Sequence, residues 1–147
     1  MMKNVKKENV VGRKLWSCDI MLSSKCQDRT IIHEDLHARS GSYLNPVTYF
    51  SYGKIEEASV EMLAREICIA EKIPFTPNKN GNVDYLYRIN EITDICDNDL
   101  DFATALFAKE LRRRYDWLER KVDKFSEKNP EYKNELYALL KNLKGSK

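Results

Sequence analysis

His33 and His37 are the only histidines in this chain of 147 residues, and they stand four apart in the string Ile31-Ile32-His33-Glu34-Asp35-Leu36-His37. Residues four apart on a helix project side by side, so this H-E-x-x-H string aims two imidazoles at one point with a carboxylate beside them. Neutral imidazole is a good zinc ligand, which makes Zn2+ the cofactor that the spacing implies. Glu34 follows the first ring directly, a position from which it reaches water on the metal rather than the metal itself.

A catalytic zinc keeps three protein ligands and leaves a fourth position for water. The chain has no third histidine, so the remaining ligand must be a carboxylate. The segment Glu56-Glu57-Ala58-Ser59-Val60-Glu61 offers three of them on a helix expected to follow the motif after a short loop.

The elements that must bring these groups together are mostly helical. Residues 1–13 are polar and expected to be flexible, and the mostly apolar stretch from Lys14 to Ser23 suits a strand. A short, largely buried helix is expected from Thr30 to Arg39, with Asp28 or Thr30 as its N-cap and Gly41 just past its end. Gly41 to Gly53 reads as a loop turning at Asn45-Pro46. From Lys54 to Lys72, Ile55, Ala58, Met62, Leu63, Ile67 and Ala70 recur at the spacing of a core face, until Pro74 and Pro77 forbid continuation. Asn78 to Asn82 is turn-like, and Val83 to Ile95 fits either strand or helix, with Val83 to Ile89 as the second strand candidate. Asp99 to Phe125 reads as one long helix, Asn129-Pro130 breaks it, and a last helix is expected from Glu131 to Leu143. The fold class expected is therefore mainly α within α+β. It would be a single domain with a helix pair at the site, a small β-sheet and a helical tail over residues 99–143.

Hydrophobic residues make up 42% of the sequence, enough for one core and with no demand for a second domain. Charge is mixed and nets to +2, which gives no reason to expect nucleic acid as a partner. From Lys109 onward 12 basic residues face 7 acidic ones, a mixture that marks a solvated helix face rather than a binding tract. Cys18, Cys26, Cys68 and Cys96 form no CxxC pair and suit small buried positions in a reducing compartment, with a Cys18–Cys26 disulfide as the alternative for that pair. Polar residues interrupt Met1 to Ser24, so it lacks the apolar run of an export signal, and no stretch is apolar enough to span a bilayer. A cytoplasmic location and no membrane partner are expected.

The motif set resembles that of the gluzincins, zinc metallopeptidases with two His and one Glu as ligands, of which thermolysin is the best-known member. In that family H-E-x-x-H is followed by a helix bearing E-x-x-x-D or E-x-x-x-E. Glu57 lies 20 positions after His37, as in thermolysin-like members, and Glu61 falls where the second acid belongs. The resemblance covers about Thr30 to Ile67. It implies that His33, His37 and Glu57 bind zinc, that Glu34 is the general base, and that Glu61 supports His33 from behind. Glu56 is the competitor for the ligand role, since the preceding loop could shift the helix register. The resemblance also implies a peptide or protein substrate. This chain is much shorter than thermolysin and lacks the further histidine that such enzymes aim at the transition state; Tyr43, Tyr49, Tyr52, Tyr87 and Arg88 are the substitutes considered. A weaker similarity, in the continuation His-Ala-Arg-Ser and a next helix opening on Glu-Glu, is to small H-E-x-x-H domains of prophages and mobile elements, which suggests a bacterial or phage origin. Against the peptidase stands a zinc-stabilised binding module without catalysis, in which the same ligands only hold two helices together.

Overall fold

A computed structural model describes residues 28–40, 51–76 and 81–146, and every regular element among them is helical. In chain order these are α1 (Asp28–Ser40), α2 (Gly53–Ala70), α3 (Gly81–Thr93), α4 (Asp99–Phe107), α5 (Leu111–Lys128), a 3-10 turn (Pro130–Tyr132) and α6 (Lys133–Asn142).

Helix α2 is the hub, packed against α1, α3 and α4 and touching α5. Its apolar residues Ile55, Ala58, Val60, Met62, Leu63 and Ala64 point in several directions and are all buried, as a helix enclosed by neighbours requires. Unusually for such a helix, Glu56, Glu61, Arg65 and Glu66 are buried as well. Charges taken out of water must be paired, and the site described below is largely made of that pairing. Around the hub, Val83, Leu86 and Ile89 of α3, Phe102 and Leu106 of α4, Leu118 and Val122 of α5, and Leu136 and Leu140 of α6 complete one connected core.

The ends of α2 are fixed by specific contacts. At its N-terminus the Lys54 N–H donates to the Gly145 carbonyl at 3.2 Å, joining the start of the hub helix to the far end of the chain. Gly145 itself has φ +95, a region in which a side chain is strained. At the C-terminus the Ile73 N–H reaches the Cys68 carbonyl at 2.8 Å and the Lys72 N–H reaches that of Ile69 at 3.2 Å, the double closure of a Schellman motif. Lys72 supplies the left-handed residue that glycine usually provides, with φ 57, and Pro74 follows.

Two expectations are corrected. No strand or sheet occurs among the described residues, and Val83–Ile89 lies inside α3. Val83, Tyr85, Tyr87 and Ile89 alternate as a strand would, but the fully buried set is Val83, Leu86 and Ile89, which is a helix face. The strand expected from Lys14 to Ser23, the loop tyrosines Tyr43 and Tyr49, and Cys18 and Cys26 lie outside the described residues. The helix expected from Asp99 to Phe125 is instead two, α4 and α5, separated at Ala108 to Glu110. Asn98 caps α4 by accepting from the Asp101 N–H at 2.8 Å. Glu110 is extended, with φ −56 and ψ 146. Two carbonyls that the break releases, those of Phe107 and Lys109, accept from the buried Arg114 guanidinium at 3.1 Å each. This tertiary satisfaction of helix-end acceptors outweighs the helical propensity of the linking residues.

Of the two cysteines described, Cys68 is buried and Cys96 half-buried, both as free thiols. No described helix is long and apolar enough to cross a membrane.

Candidate metal centre

Arg29, His33, His37 and Ser40 follow one another along α1 at intervals of four, four and three, so they share a stripe. The stripe faces α2 with the two helices antiparallel: Arg29 meets Glu61, His33 meets Glu61 and Glu57, His37 meets Glu57 and Glu56, and Ser40 meets Glu56. Leu36 is buried on the same side of α1.

Where the stripes meet, three potential ligands converge. The Nε2 atoms of His33 and His37 lie 3.0 Å apart. Glu57 offers one oxygen to each, Oε2 at 2.8 Å from His37 and Oε1 at 3.4 Å from His33. One ligand atom from each of the three residues falls within 4.8 Å of the other two, so the group can hold a metal ion.

The opposite edges of both rings are occupied. His33 Nδ1 donates to Glu61 Oε1 at 2.9 Å, and His37 Nδ1 donates to Glu56 Oε2 at 2.7 Å. An ionised carboxylate only accepts, so each Nδ1 carries a proton, and a ring that gives up its second proton presents a lone pair at Nε2. The 2.8 Å approach of His37 Nε2 to Glu57 is a hydrogen bond through such a second proton, which a metal ion would have to displace. Both rings are oriented from behind by carboxylates, as histidine ligands commonly are.

The supporting acids are themselves buried and paired. Glu61 accepts from Arg29 Nη1 and from Arg65 Nε, each at 2.6 Å. Glu56 accepts from Arg114 Nη1 at 2.8 Å and lies 2.8 Å from the Ser40 hydroxyl. Both glutamate side chains have no exposure, whereas those of Glu57 and His33 are 12% exposed and that of His37 only 2%. Solvent therefore reaches the group from the His33 and Glu57 side.

Without a metal the rings hold protons strongly. Burial pulls the pKa of His37 down, but hydrogen bonds and charge from Glu56 and Glu57 outweigh it and raise the value to about 9. His33 is raised in the same way, burial being overcome by Glu57 and Glu61. Burial pushes Glu57 up, but its contacts with both rings prevail and hold it well below the usual carboxylate range. Glu56 and Glu61 are also lowered against burial, Glu56 by His37, Ser40 and Arg114, and Glu61 by His33, Arg65 and Arg29.

The structure thus brings His33, His37, Glu57 and Glu61 together. Glu56, the alternative ligand, sits at the Nδ1 edge of His37, on the far side of the ring from the point where His33, His37 and Glu57 converge. Glu34 is exposed on the flank of α1, one residue beyond His33. Tyr87 and Arg88 are engaged elsewhere on α3, Tyr87 donating to Glu66 at 2.7 Å and Arg88 bound to Glu91 and Glu135. Tyr52 lines a cavity with Tyr115 and Lys144 that none of the three ligand candidates borders.

Sequence reasoning missed four participants. Arg29 and Ser40 were legible, since they extend the histidine stripe by one step at each end, and Arg65 stands four after Glu61. Arg114 falls at core-face spacing between Leu111 and Leu118, but nothing local points to its partner Glu56, 58 positions earlier. Comparison with known proteins adds no kinship: no family model, curated protein or solved structure matches this chain.

Proposed function

We propose that the chain is a zinc-dependent peptidase with His33, His37 and Glu57 as ligands and Glu34 as general base. The observation that carries this reading is the convergence of the two Nε2 atoms, 3.0 Å apart and both facing Glu57, with each ring fixed by a buried carboxylate on Nδ1. Two histidines, one glutamate and one position left for water is the donor set of catalytic rather than structural zinc. Zinc held by these residues would supply Lewis acidity, for polarising a carbonyl and for lowering the pKa of water towards neutrality.

The protein's own groups supply the rest. Glu61 and Glu56 keep both Nδ1 protons in place, so neither ring turns and each would present Nε2 to the metal once the proton there is displaced. Glu34 is exposed on α1 one residue after His33, and in this reading its carboxylate would take the proton of the attacking water and return it to the leaving amine. The substrate class is an extended peptide reaching the centre from its solvent-facing side.

A zinc-stabilised module without catalysis receives less support. In such modules the metal is what holds the elements together, whereas here Arg29–Glu61 and Ser40–Glu56 already tie α1 to α2. A centre that kept the hairpin closed would also need no exposed acid beside His33.

The deciding experiment compares wild type with Glu34→Gln on a quenched fluorescent peptide library, with bound zinc measured on the same samples. Full zinc content and loss of cleavage in the variant are expected. Equal cleavage by both proteins would refute the role of Glu34, and zinc-loaded wild type that cleaves nothing would refute the peptidase reading.

A further inference from the structure

We propose that Arg114 is a positioning residue for the metal centre, acting from α5 through Glu56 on the ring of His37. The inference rests on the metal-binding reading above. Arg114 is 1% exposed, and four of its five N–H donors are engaged. Nη1 donates to Glu56 Oε1 at 2.8 Å and to Ser59 Oγ at 2.9 Å. Nη2 and Nε donate at 3.1 Å to the carbonyls of Phe107 and Lys109, where α4 gives way to α5.

These contacts form a chain of fixed directions. The two carbonyls hold the guanidinium plane, and the guanidinium holds one oxygen of Glu56. The other oxygen of Glu56 holds Nδ1 of His37, whose Nε2 is thereby aimed at Glu57. A carboxylate tethered at one end only could swing about its own side chain and let the ring turn. Clamped at both oxygens, it cannot.

Stability alone does not account for the arrangement. A buried guanidinium–carboxylate pair is a weak source of stability, and apolar side chains of similar volume often do as well or better. What the pair supplies is direction, through a planar fork that lysine lacks. The break between α4 and α5 gains a purpose in the same terms, because it presents the two carbonyls that orient the fork.

The test is a double-mutant cycle on zinc affinity, measured by competition with a chromophoric chelator, using Glu56→Gln, Arg114→Lys and the two combined. The visible spectrum of the cobalt-substituted proteins reports ligand geometry, which a purely structural defect would leave unchanged. Each single change is expected to weaken zinc binding about 10–100-fold, the usual range for groups that orient a ligand. The double variant should be about as weak as the weaker single one, since both act through one ring. Folded Arg114→Lys with wild-type affinity and an unchanged cobalt spectrum would overturn the inference, as would two independent losses that multiply. If Arg114→Lys does not fold, Glu56→Gln combined with Arg114→Met removes both charges and is compared with Glu56→Gln alone: equal affinities support the shared route, and a further 10–100-fold loss overturns it. Failure of the metal reading is separately visible, as wild type without zinc affinity or Glu57→Ala with undiminished affinity.

Discussion

Glu56 and Glu57, adjacent on α2, hold His37 from opposite edges: Glu56 Oε2 lies 2.7 Å from Nδ1 and Glu57 Oε2 lies 2.8 Å from Nε2. Successive residues on a helix point about 100° apart, so two neighbouring carboxylates can embrace one ring only if it enters between them. Helix α1 delivers it there. The same chemical group therefore does two jobs at two consecutive positions, and substitution separates them.

Glu57→Ala removes an atom offered to the metal, and Glu61→Gln removes only support behind His33. Zinc affinity should collapse in the first and fall about 10–100-fold in the second. Isothermal titration at fixed pH separates the two. Equal losses would mean that Glu57 is not a ligand.

Metal removal should leave the helices in place. The Arg29–Glu61 and Ser40–Glu56 contacts do not involve a metal, and the core of α2 to α6 lies beyond the centre. A strong chelator is expected to lower the midpoint of thermal unfolding while preserving the far-ultraviolet circular dichroism at 25 °C. Loss of the helical spectrum on chelation would assign the metal a structural task.

The metal-free protein should be most stable at mildly acidic pH. The folded pKa of His37 is raised from 6.5 to about 9, so its stabilising contribution is complete below 6.5 and is lost as pH climbs through about 9. Glu57 is shifted the other way, below its ordinary 4.5, so its contribution is complete above 4.5 and is lost as pH falls through the lowered value. Both contributions are present between those ordinary values. Zinc must displace the protons, so the stabilisation it adds should grow from pH 6 to pH 8. Thermal melts with and without zinc across that range check both trends, and a zinc effect that shrinks with rising pH would contradict the ligand assignment.

Lys72 adopts φ 57 at the close of α2, where a side chain is disfavoured by about 1–2 kcal/mol. Part of that cost is returned by the greater freedom of glycine in the unfolded chain. Lys72→Gly should stabilise the protein by about 0.5–1 kcal/mol without touching the centre. Urea denaturation measures it, and a destabilised variant would show that the lysine side chain contributes more than its backbone costs.

Much of the centre could be read in the string because it is local. His33 and His37 share a turn, Glu57 and Glu61 share the next helix, and both helices are marked by their periodic apolar residues. Glu56 stayed open as a competitor for the ligand role because sequence shows which acids lie near a ring and not which edge of the ring each meets. The split between α4 and α5 did leave a trace. On a continuous helix Phe102 and Leu111 would lie about 180° apart, yet both are buried in the same core. Val83 to Ile89 misled because alternation and helical spacing overlap in so short a run, and packing against α2 decided between them. Arg114 could be placed on the core stripe of α5, three after Leu111 and four before Leu118, but its partner Glu56 could not be read, because 58 positions separate them.

Among the described residues, two guanidiniums, Arg29 and Arg65, serve Glu61, and one, Arg114, serves Glu56. Redundancy is thus unevenly spread between the two halves of the hairpin. A lineage could lose Arg29 or Arg65 and still keep a guanidinium beside Glu61, whereas the loss of Arg114 leaves Glu56 leaning on partners such as His37 and Ser40. Drift at positions 29 and 65 therefore meets less resistance than drift at position 114.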